Sequence, residues 1–400
     1  MRYVTTTFLL GIIFGLLFVS CTQQRNPLNK IIETKLSKSN KAIALNPAHE
    51  VQILYTSIER DSLGQPHFTE WDFGLDESYY FYPASTAKLP IAILALQKLN
   101  LLRQNGYAID KETPFRVSDP QNQQTVVSDS TLNSGLYSVS RLIKEIFLVS
   151  DNTAYNILFD FLGTDDINRE LQKRGLNNTE IHHKFLLGAD NLKTWEYTFF
   201  EEQDTLYHQP SIHSNFDRNQ VALRGVYKGK GYLENGKRVT ASMDFSRKNR
   251  ISIRDLNDLM KRVIFPEVSL EDQRFQLTEE DLTFLRFWMS RTTLESPYSK
   301  HTNSQEYWDS YNKFFIYGDT KGAMTDTLRI YNKVGAAYGT LTDVAYVKEK
   351  NSGIEFMLTA TVLVNKNQIF NDDQYEYESV GIPFLAAIGR AVYDLEKQKK

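Results

Sequence analysis

The sequence predicts an α+β fold in which one five-stranded antiparallel sheet, assembled from both chain ends, is flanked by helices and interrupted by an inserted all-helical block. Near the N-terminal end, VQILYTSIER (51–60) and HFTEWDFG (67–74) alternate or are rich in aromatics, with Asp61 to Pro66 as the turn of a hairpin. Near the other end come three more strand-like runs, TLRIYNKVG (327–335), GTLTDVAYV (339–347) and GIEFMLTATVLVN (353–365), with Asn351-Ser352-Gly353 as the tight connection between the last two. Between them, PIAILALQKL, SVSRLIKEIFLVS, NTAYNILFDFLG and RISIRDLNDLMKRVIF carry apolar residues at helical spacing.

The remaining elements follow in chain order. MRYVTTTFLLGIIFGLLFVSC starts with one Arg and runs through 12 apolar or Gly residues, Phe8 to Val19, to a small residue before Cys21. Twelve residues are too few to cross the hydrocarbon core, so residues 1–21 read as an export signal. Phe18-Val19-Ser20-Cys21 resembles the lipobox of bacterial lipoproteins, which implies lipidation of Cys21 and a location in the cell envelope, anchored to a membrane. The plainer alternative is an ordinary signal peptide with a chance cysteine. Cys21 is the single cysteine of the chain, so an internal disulfide is excluded and the core must hold the exported domain together.

Residues 22–48 are polar and read as a tether. Residues 49–84 and 326–400 supply the sheet, and 85–325 the helical block, with a polar and aromatic insertion at about 190–250 that contains a possible hairpin around Glu234-Asn235-Gly236. A last helix places Phe384, Leu385, Ile388, Val392 and Leu395 on one face. Composition sets the outer limits: 400 residues, 41% hydrophobic and a net charge of -3 describe a globular chain with no basic excess for nucleic acid. A monomer is expected, and no cofactor is called for.

FYPASTAKLP places Ser85 and Lys88 one helical turn apart, after Pro83 and before a helix that is apolar on every side. Burial of that helix lowers the lysine's pKa, so that its neutral amine can take the serine's proton. The spacing alone is weak evidence. Ser310 and Lys313 satisfy it too, and an ordinary helix-start serine beside a snorkelling lysine has the same sequence.

Two further stretches change that balance. Ser150-Asp151-Asn152 lies in FLVSDNTAYNIL, and Lys333-Val334-Gly335 ends a strand-like run. Ser-x-x-Lys, Ser-Asp-Asn and Lys-Thr-Gly, in that order, resemble the three active-site elements of class A β-lactamases and penicillin-binding D,D-peptidases. Each element alone is common, since Lys173-Arg174-Gly175 also fits Lys-x-Gly; the ordered triple is specific, and the likeness spans about residues 49–400. It implies the β-lactamase-like fold, with Ser85 as the acylated nucleophile and Lys88 as its base. Ser150 would relay a proton to the departing nitrogen, assisted by Lys333, whose charge would also attract a substrate carboxylate. Asn152 would bind the substrate amide, the N–H groups of Ser85 and Ala336 would form an oxyanion hole, and Gly335 would let the substrate lie along the strand.

This chain departs from the pattern twice. Val334 stands where the family has a hydroxyl residue that holds the substrate carboxylate. In NNTEIHHKFLLGAD, Phe185 falls where class A enzymes carry the Glu that aligns the deacylating water, and the nearest acids, Glu180 and Asp190, are each five residues away. His182 and His183 read as packing or surface residues, and no histidine has metal-ligand spacing. Three functions therefore stay open: a serine hydrolase acylated by β-lactams or peptidoglycan-derived amides that deacylates slowly, a D,D-carboxypeptidase or transpeptidase, or a surface lipoprotein that binds wall peptides or β-lactams with little turnover.

Overall fold

The computed structural model describes residues 26–400 apart from 122, 128–134, 187, 216–221, 302 and 304, so the signal segment and Cys21 lie outside the described residues. Two helices, α1 (Pro27–Thr34) and α2 (Lys38–Leu45), lead into the strands β1 (Gln52–Arg60) and β2 (Pro66–Phe73). A helical block follows, with α3 (Lys88–Gln104), α4 (Val139–Leu148), α5 (Asn152–Leu162), α6 (Thr164–Lys173), α7 (Ile253–Ile264) and α8 (Glu279–Met289). The chain then returns through β3 (Leu328–Ala337), β4 (Thr340–Glu349) and β5 (Glu355–Leu363) to α9 (Ile382–Lys397).

The five strands form one antiparallel sheet in the order β3-β4-β5-β1-β2, so the two chain ends meet where β1 pairs with β5, Gln52 opposite Thr361. Asn351 (φ 69°) and Gly353 (φ 70°) make the β4–β5 turn, which requires left-handed backbone. Both sheet faces are covered. Leu54, Ile58, Val344, Tyr346 and Met357 join the core of the helical block. Ile53, Tyr55, Ala345, Val347 and Leu358 join a second layer with Phe384, Leu385, Ile388 and Val392 of α9. Residues alternate between these faces because a strand has a period of two.

The expected tether is corrected from residue 27 onward. Asn26 caps α1 by accepting from the Leu28 N–H at 3.0 Å, and Ser37 caps α2 by accepting from the Asn40 N–H at 3.2 Å. Leu28, Ile31 and Ile32 are buried in the layer that includes α9, so this segment is folded onto the domain.

The expectation of an all-helical block is also corrected. Residues 125–127, 115–118, 196–201 and 204–209 form a four-stranded sheet in that order, with Phe115, Val117, Tyr197 and Phe199 buried in the helical core. The hairpin around Asn235-Gly236 is present, 231–234 against 237–239, with φ of 51° and 74° at its two turn residues. It also pairs in parallel with 369–370, joining the long insertion to the segment before α9.

Candidate active site

Ser85 sits in a single 3-10 turn, Ala84–Ala87, that runs into α3. Ala84 has φ 47°, an uncommon conformation for a residue with a Cβ. The strained turn presents Ser85 half-buried at the end of a helix whose first ten residues, Lys88 to Gln97, are all buried. β3, the edge strand of the sheet, passes against this turn. A Cβ built on Gly335 would come within 2.6 Å of the Pro83 carbonyl oxygen and 3.0 Å of the Ser85 nitrogen, so only glycine permits the approach.

The second element arrives between two helices. Ser150 has φ 56°, and the Asp151 carboxylate caps α5 by accepting from the Ala154 N–H at 2.7 Å. This places Ser150 and Asn152 beside the first turn of α3. The third element comes from the strand: Lys333 faces the helical block while Val334, its neighbour, is buried in the apolar layer beneath the sheet.

Side chains of all three elements converge. Lys88 Nζ lies 2.9 Å from Ser85 Oγ, 2.7 Å from Asn152 Oδ1 and 3.3 Å from Ser150 Oγ, and it also donates to the Ser150 carbonyl. Lys333 Nζ donates to Ser150 Oγ at 2.8 Å and to the Val334 carbonyl at 2.8 Å. One hydroxyl therefore bridges two buried amines. Burial pushes the Lys88 pKa down to about 7, with Asp151 opposing the shift. Burial first, and the neighbouring Lys88 second, pull Lys333 well below the ordinary lysine value, while Asp343 works the other way. Ser85 and Ser150 are half-buried and Asn152 and Ala336 exposed, so a substrate can reach the hydroxyls but water cannot surround the amines.

The competing Ser-x-x-Lys is structural. Ser310 Oγ donates to the Thr320 carbonyl at 2.6 Å, and Lys313 Nζ to the Met289 carbonyl and Asn332 Oδ1 at 2.8 and 2.7 Å. Asn332 in turn donates to Asp343 at 2.9 Å. This buried chain of Lys313, Asn332 and Asp343 underlies the strand that carries Lys333. The spacing of Ser310 and Lys313 marked the lysine as a rival base and gave no sign of its link to Asn332 and Asp343.

Phe185 lies at the site, as its position in the sequence implied. Its ring stacks on Tyr155 with centroids 4.3 Å apart, and Lys88 Nζ is 5.3 Å from its centre. The Phe185 N–H donates to Asn156 Oδ1 at 2.6 Å, which fixes the loop on α5. Neither flanking acid is directed at the serine. Glu180 is buried with His182 and Arg250 at 3.1 and 3.0 Å, and Asp190 accepts from the N–H groups of Leu192 and Lys193 at 2.9 and 3.1 Å. His183 stacks on Tyr82, the packing role expected of it.

The structure of PBP-A is 17% identical over 93% of this chain and 97% of its own, with a TM-score of 0.51. A beta-lactamase from Sphaerobacter thermophilus is 15% identical over 89% of this chain and 95% of its own, with a TM-score of 0.48. One from Desulfarculus baarsii gives 15%, 89%, 95% and 0.47. At that identity the likeness to PBP-A concerns the fold alone. No curated protein matches the chain. The sequence model of the beta-lactamase enzyme family matches residues 36–395, which include each of the three converging elements, and the chain accordingly belongs to that family of serine hydrolases.

Proposed function

We propose that Ser85 is acylated by a β-lactam or by an amide derived from peptidoglycan, and that the acyl-enzyme deacylates slowly. The observation that carries this reading is the position of Lys88 Nζ, 2.9 Å from Ser85 Oγ and 3.3 Å from Ser150 Oγ. A neutral Lys88 takes the Ser85 proton as the oxygen bonds to the carbonyl carbon. Lys88 can then pass a proton through Ser150 to the departing nitrogen when the C–N bond breaks. Two ammonium groups bridged by one hydroxyl repel each other. A substrate carboxylate drawn to Lys333 would favour the charge there, and so favour the neutral amine at Lys88. Substrate binding thereby prepares the base.

Intact-mass measurement after mixing with a penicillin tests the reading. One equivalent of adduct is expected, located by peptide mapping at Ser85, with Ser310→Ala labelled as fully as the wild type. No adduct with any penicillin or cephalosporin would exclude the β-lactam, and failure to cleave a peptidoglycan-derived amide as well would overturn acylation at Ser85.

A second reading, D,D-carboxypeptidase or transpeptidase, is favoured by Phe185, because the absence of a carboxylate at that place suits an acyl-enzyme that waits for a second substrate. Release of D-alanine from a D-Ala-D-Ala peptide would support it. The lipobox-like Phe18-Val19-Ser20-Cys21 supports anchoring of the domain in the cell envelope through a lipidated Cys21. Wild-type protein is expected to sediment with membranes and Cys21→Ala to become soluble; a variant that stays membrane-bound would refute the anchor.

A further inference from the structure

The link between Cys21 and the folded domain is short. A free tether over 22–48 would let an exported domain swing away from its anchor, but α1 and α2 fold most of that stretch onto the sheet. Asn26 is already fixed, because its side chain donates to the Asp72 carbonyl at 2.7 Å and accepts from the Leu28 N–H at 3.0 Å. Residues 22–25 alone lie between Cys21 and Asn26, which allows at most about 18 Å of chain. A domain of this size is about 50 Å across, so it cannot turn over on such a link. A lipid on Cys21 would therefore keep the face beside Asn26 towards the bilayer.

That face carries basic charge. Lys30, Lys35, Lys38 and Lys41 lie between Pro27 and Leu45 with one acid, Glu33, an excess of three in a chain whose net charge is -3. Lys30, Lys35 and Lys38 are exposed, and Lys41 Nζ donates to the Glu33 carbonyl at 3.4 Å. Asp72, exposed next to Asn26, is a second acid at the edge of the face. On α2, Lys38, Lys41, Ala42 and Leu45 follow helical spacing, and Leu45 is 56% exposed. Beside this stripe opens a cavity of about 780 Å³, whose apolar lining includes Ala42, Ile43, Leu363, Val364, Phe370 and Val380. Lysines that flank exposed apolar surface are what a helix lying among lipid headgroups presents. An acidic protein would also answer the lysines, but the short link places a bilayer within their reach at all times.

The catalytic serine is at the other side of the sheet. α1 packs on β2, and β2 and β3 are opposite edges. Four strand spacings, about 19 Å, separate them. Ser85 lies beside Gly335 of β3, so a domain resting on α1 and α2 opens its site to substrates that arrive from the aqueous side.

We propose that the α1–α2 segment is a docking surface for anionic phospholipid headgroups, which lays the β2 side of the domain on the membrane and keeps the Ser85 edge away from it. The surface rests on the lipidation of Cys21 and adds which face that anchor turns to the bilayer. An excess of three charges orients a domain already held there and does not by itself retain it, so Cys21→Ala is still expected to be released.

The test reconstitutes the full lipidated protein in vesicles of phosphatidylglycerol and phosphatidylcholine that contain a spin-labelled lipid as quencher. Cys21 is the single cysteine and its lipid blocks it, so a fluorophore on Ala42→Cys, in the α2 stripe, or on Thr283→Cys, exposed on α8, is the sole label. Quenching is expected to be several-fold greater for Ala42→Cys, and to fall as salt is raised or as phosphatidylcholine replaces the anionic lipid. Adding Lys35→Glu and Lys38→Glu should lower it to the level of Thr283→Cys while the protein still floats with the vesicles. The matched change Arg103→Glu and Lys173→Glu, on exposed residues of the helical block, should leave it unaltered. Equal quenching at the two positions, or quenching that survives the reversal at Lys35 and Lys38, overturns the surface and leaves the anchor standing. If Cys21 carries no lipid and the protein does not float with vesicles, the anchor fails and the surface with it.

Discussion

In Ser85→Ala, labelling by a fluorescent penicillin is expected to vanish, and in Lys88→Met it is expected to slow by on the order of a hundred- to ten-thousand-fold. A serine hydroxyl is a weak nucleophile at neutral pH unless a base takes its proton as it attacks. An ordinary lysine would be neutral in roughly one molecule in 3,000 at pH 7, whereas burial, by lowering the Lys88 pKa to about 7, makes about half of the amines available. The sign of the pH dependence follows. The acylation rate should rise about tenfold per unit below pH 7 and level off above it, because protonation removes the base. Rates followed from about pH 5 to about pH 9 would show that limb; one centred near the ordinary lysine value would exclude Lys88 as the base. Stability changes with pH in the same direction as activity, but over a higher window. A lysine whose folded pKa is depressed binds more protons when unfolded, so between its folded and unfolded pKa values stability increases with pH, and at neutral pH its burial is a cost. Lys88→Met should therefore melt no lower than the wild type, which separates loss of the base from loss of the fold.

What could be read from the sequence follows a physical boundary. The five strands carry apolar residues on both faces, and the turn residues Asn351 and Gly353 have the left-handed backbone that such connections need, so pattern and turn chemistry pointed the same way. The α1 and α2 segments failed that test. Each is eight residues long in a stretch rich in Lys, Asn and Ser, too short for a helical period to stand out, and only contact with α9 and the sheet makes Leu28, Ile31 and Ile32 buried. The small sheet of the helical block is held by pairing between residues about 80 positions apart, such as Phe115 with Phe199, which no local window contains. At the site the same division holds. Three motifs marked Ser85, Lys88, Ser150, Asn152 and Lys333 because their chemistry is local in sequence. Lys313, Asn332 and Asp343 were invisible as a unit: each is polar and unremarkable alone, and buried polar groups become legible only when their partners are placed around them. Burial raises the Asp343 pKa to about 6 and lowers that of Lys313 to about 7, so the charge beneath Lys333 is itself set by the packing.

Mixing the protein with a chromogenic cephalosporin is expected to give a burst of about one equivalent of product followed by slow turnover, with the acyl adduct persisting on intact-mass spectra. The reason is Phe185. Release of the acyl group needs a water molecule that is both oriented and deprotonated as it attacks the Ser85 ester. A phenyl ring stacked on Tyr155 at 4.3 Å can do neither, and Glu180 and Asp190 are engaged with His182 and Arg250 and with backbone N–H groups respectively. General-base help contributes on the order of a hundred- to ten-thousand-fold, so its loss should separate the two steps widely, with fast acylation and slow deacylation. The substitution Phe185→Glu tests the cause directly. A carboxylate there would stand near Lys88, whose Nζ is 5.3 Å from the present ring centre. Two effects of opposite sign should appear together. The adduct should clear faster, because a base now faces the ester. Acylation at neutral pH should slow, because an anion beside Lys88 raises its pKa and keeps more of the amine protonated. Rapid steady-state turnover by the wild type with no burst and no adduct would show that another group supplies the base. An adduct just as long-lived in Phe185→Glu would show that the ring is not what limits deacylation.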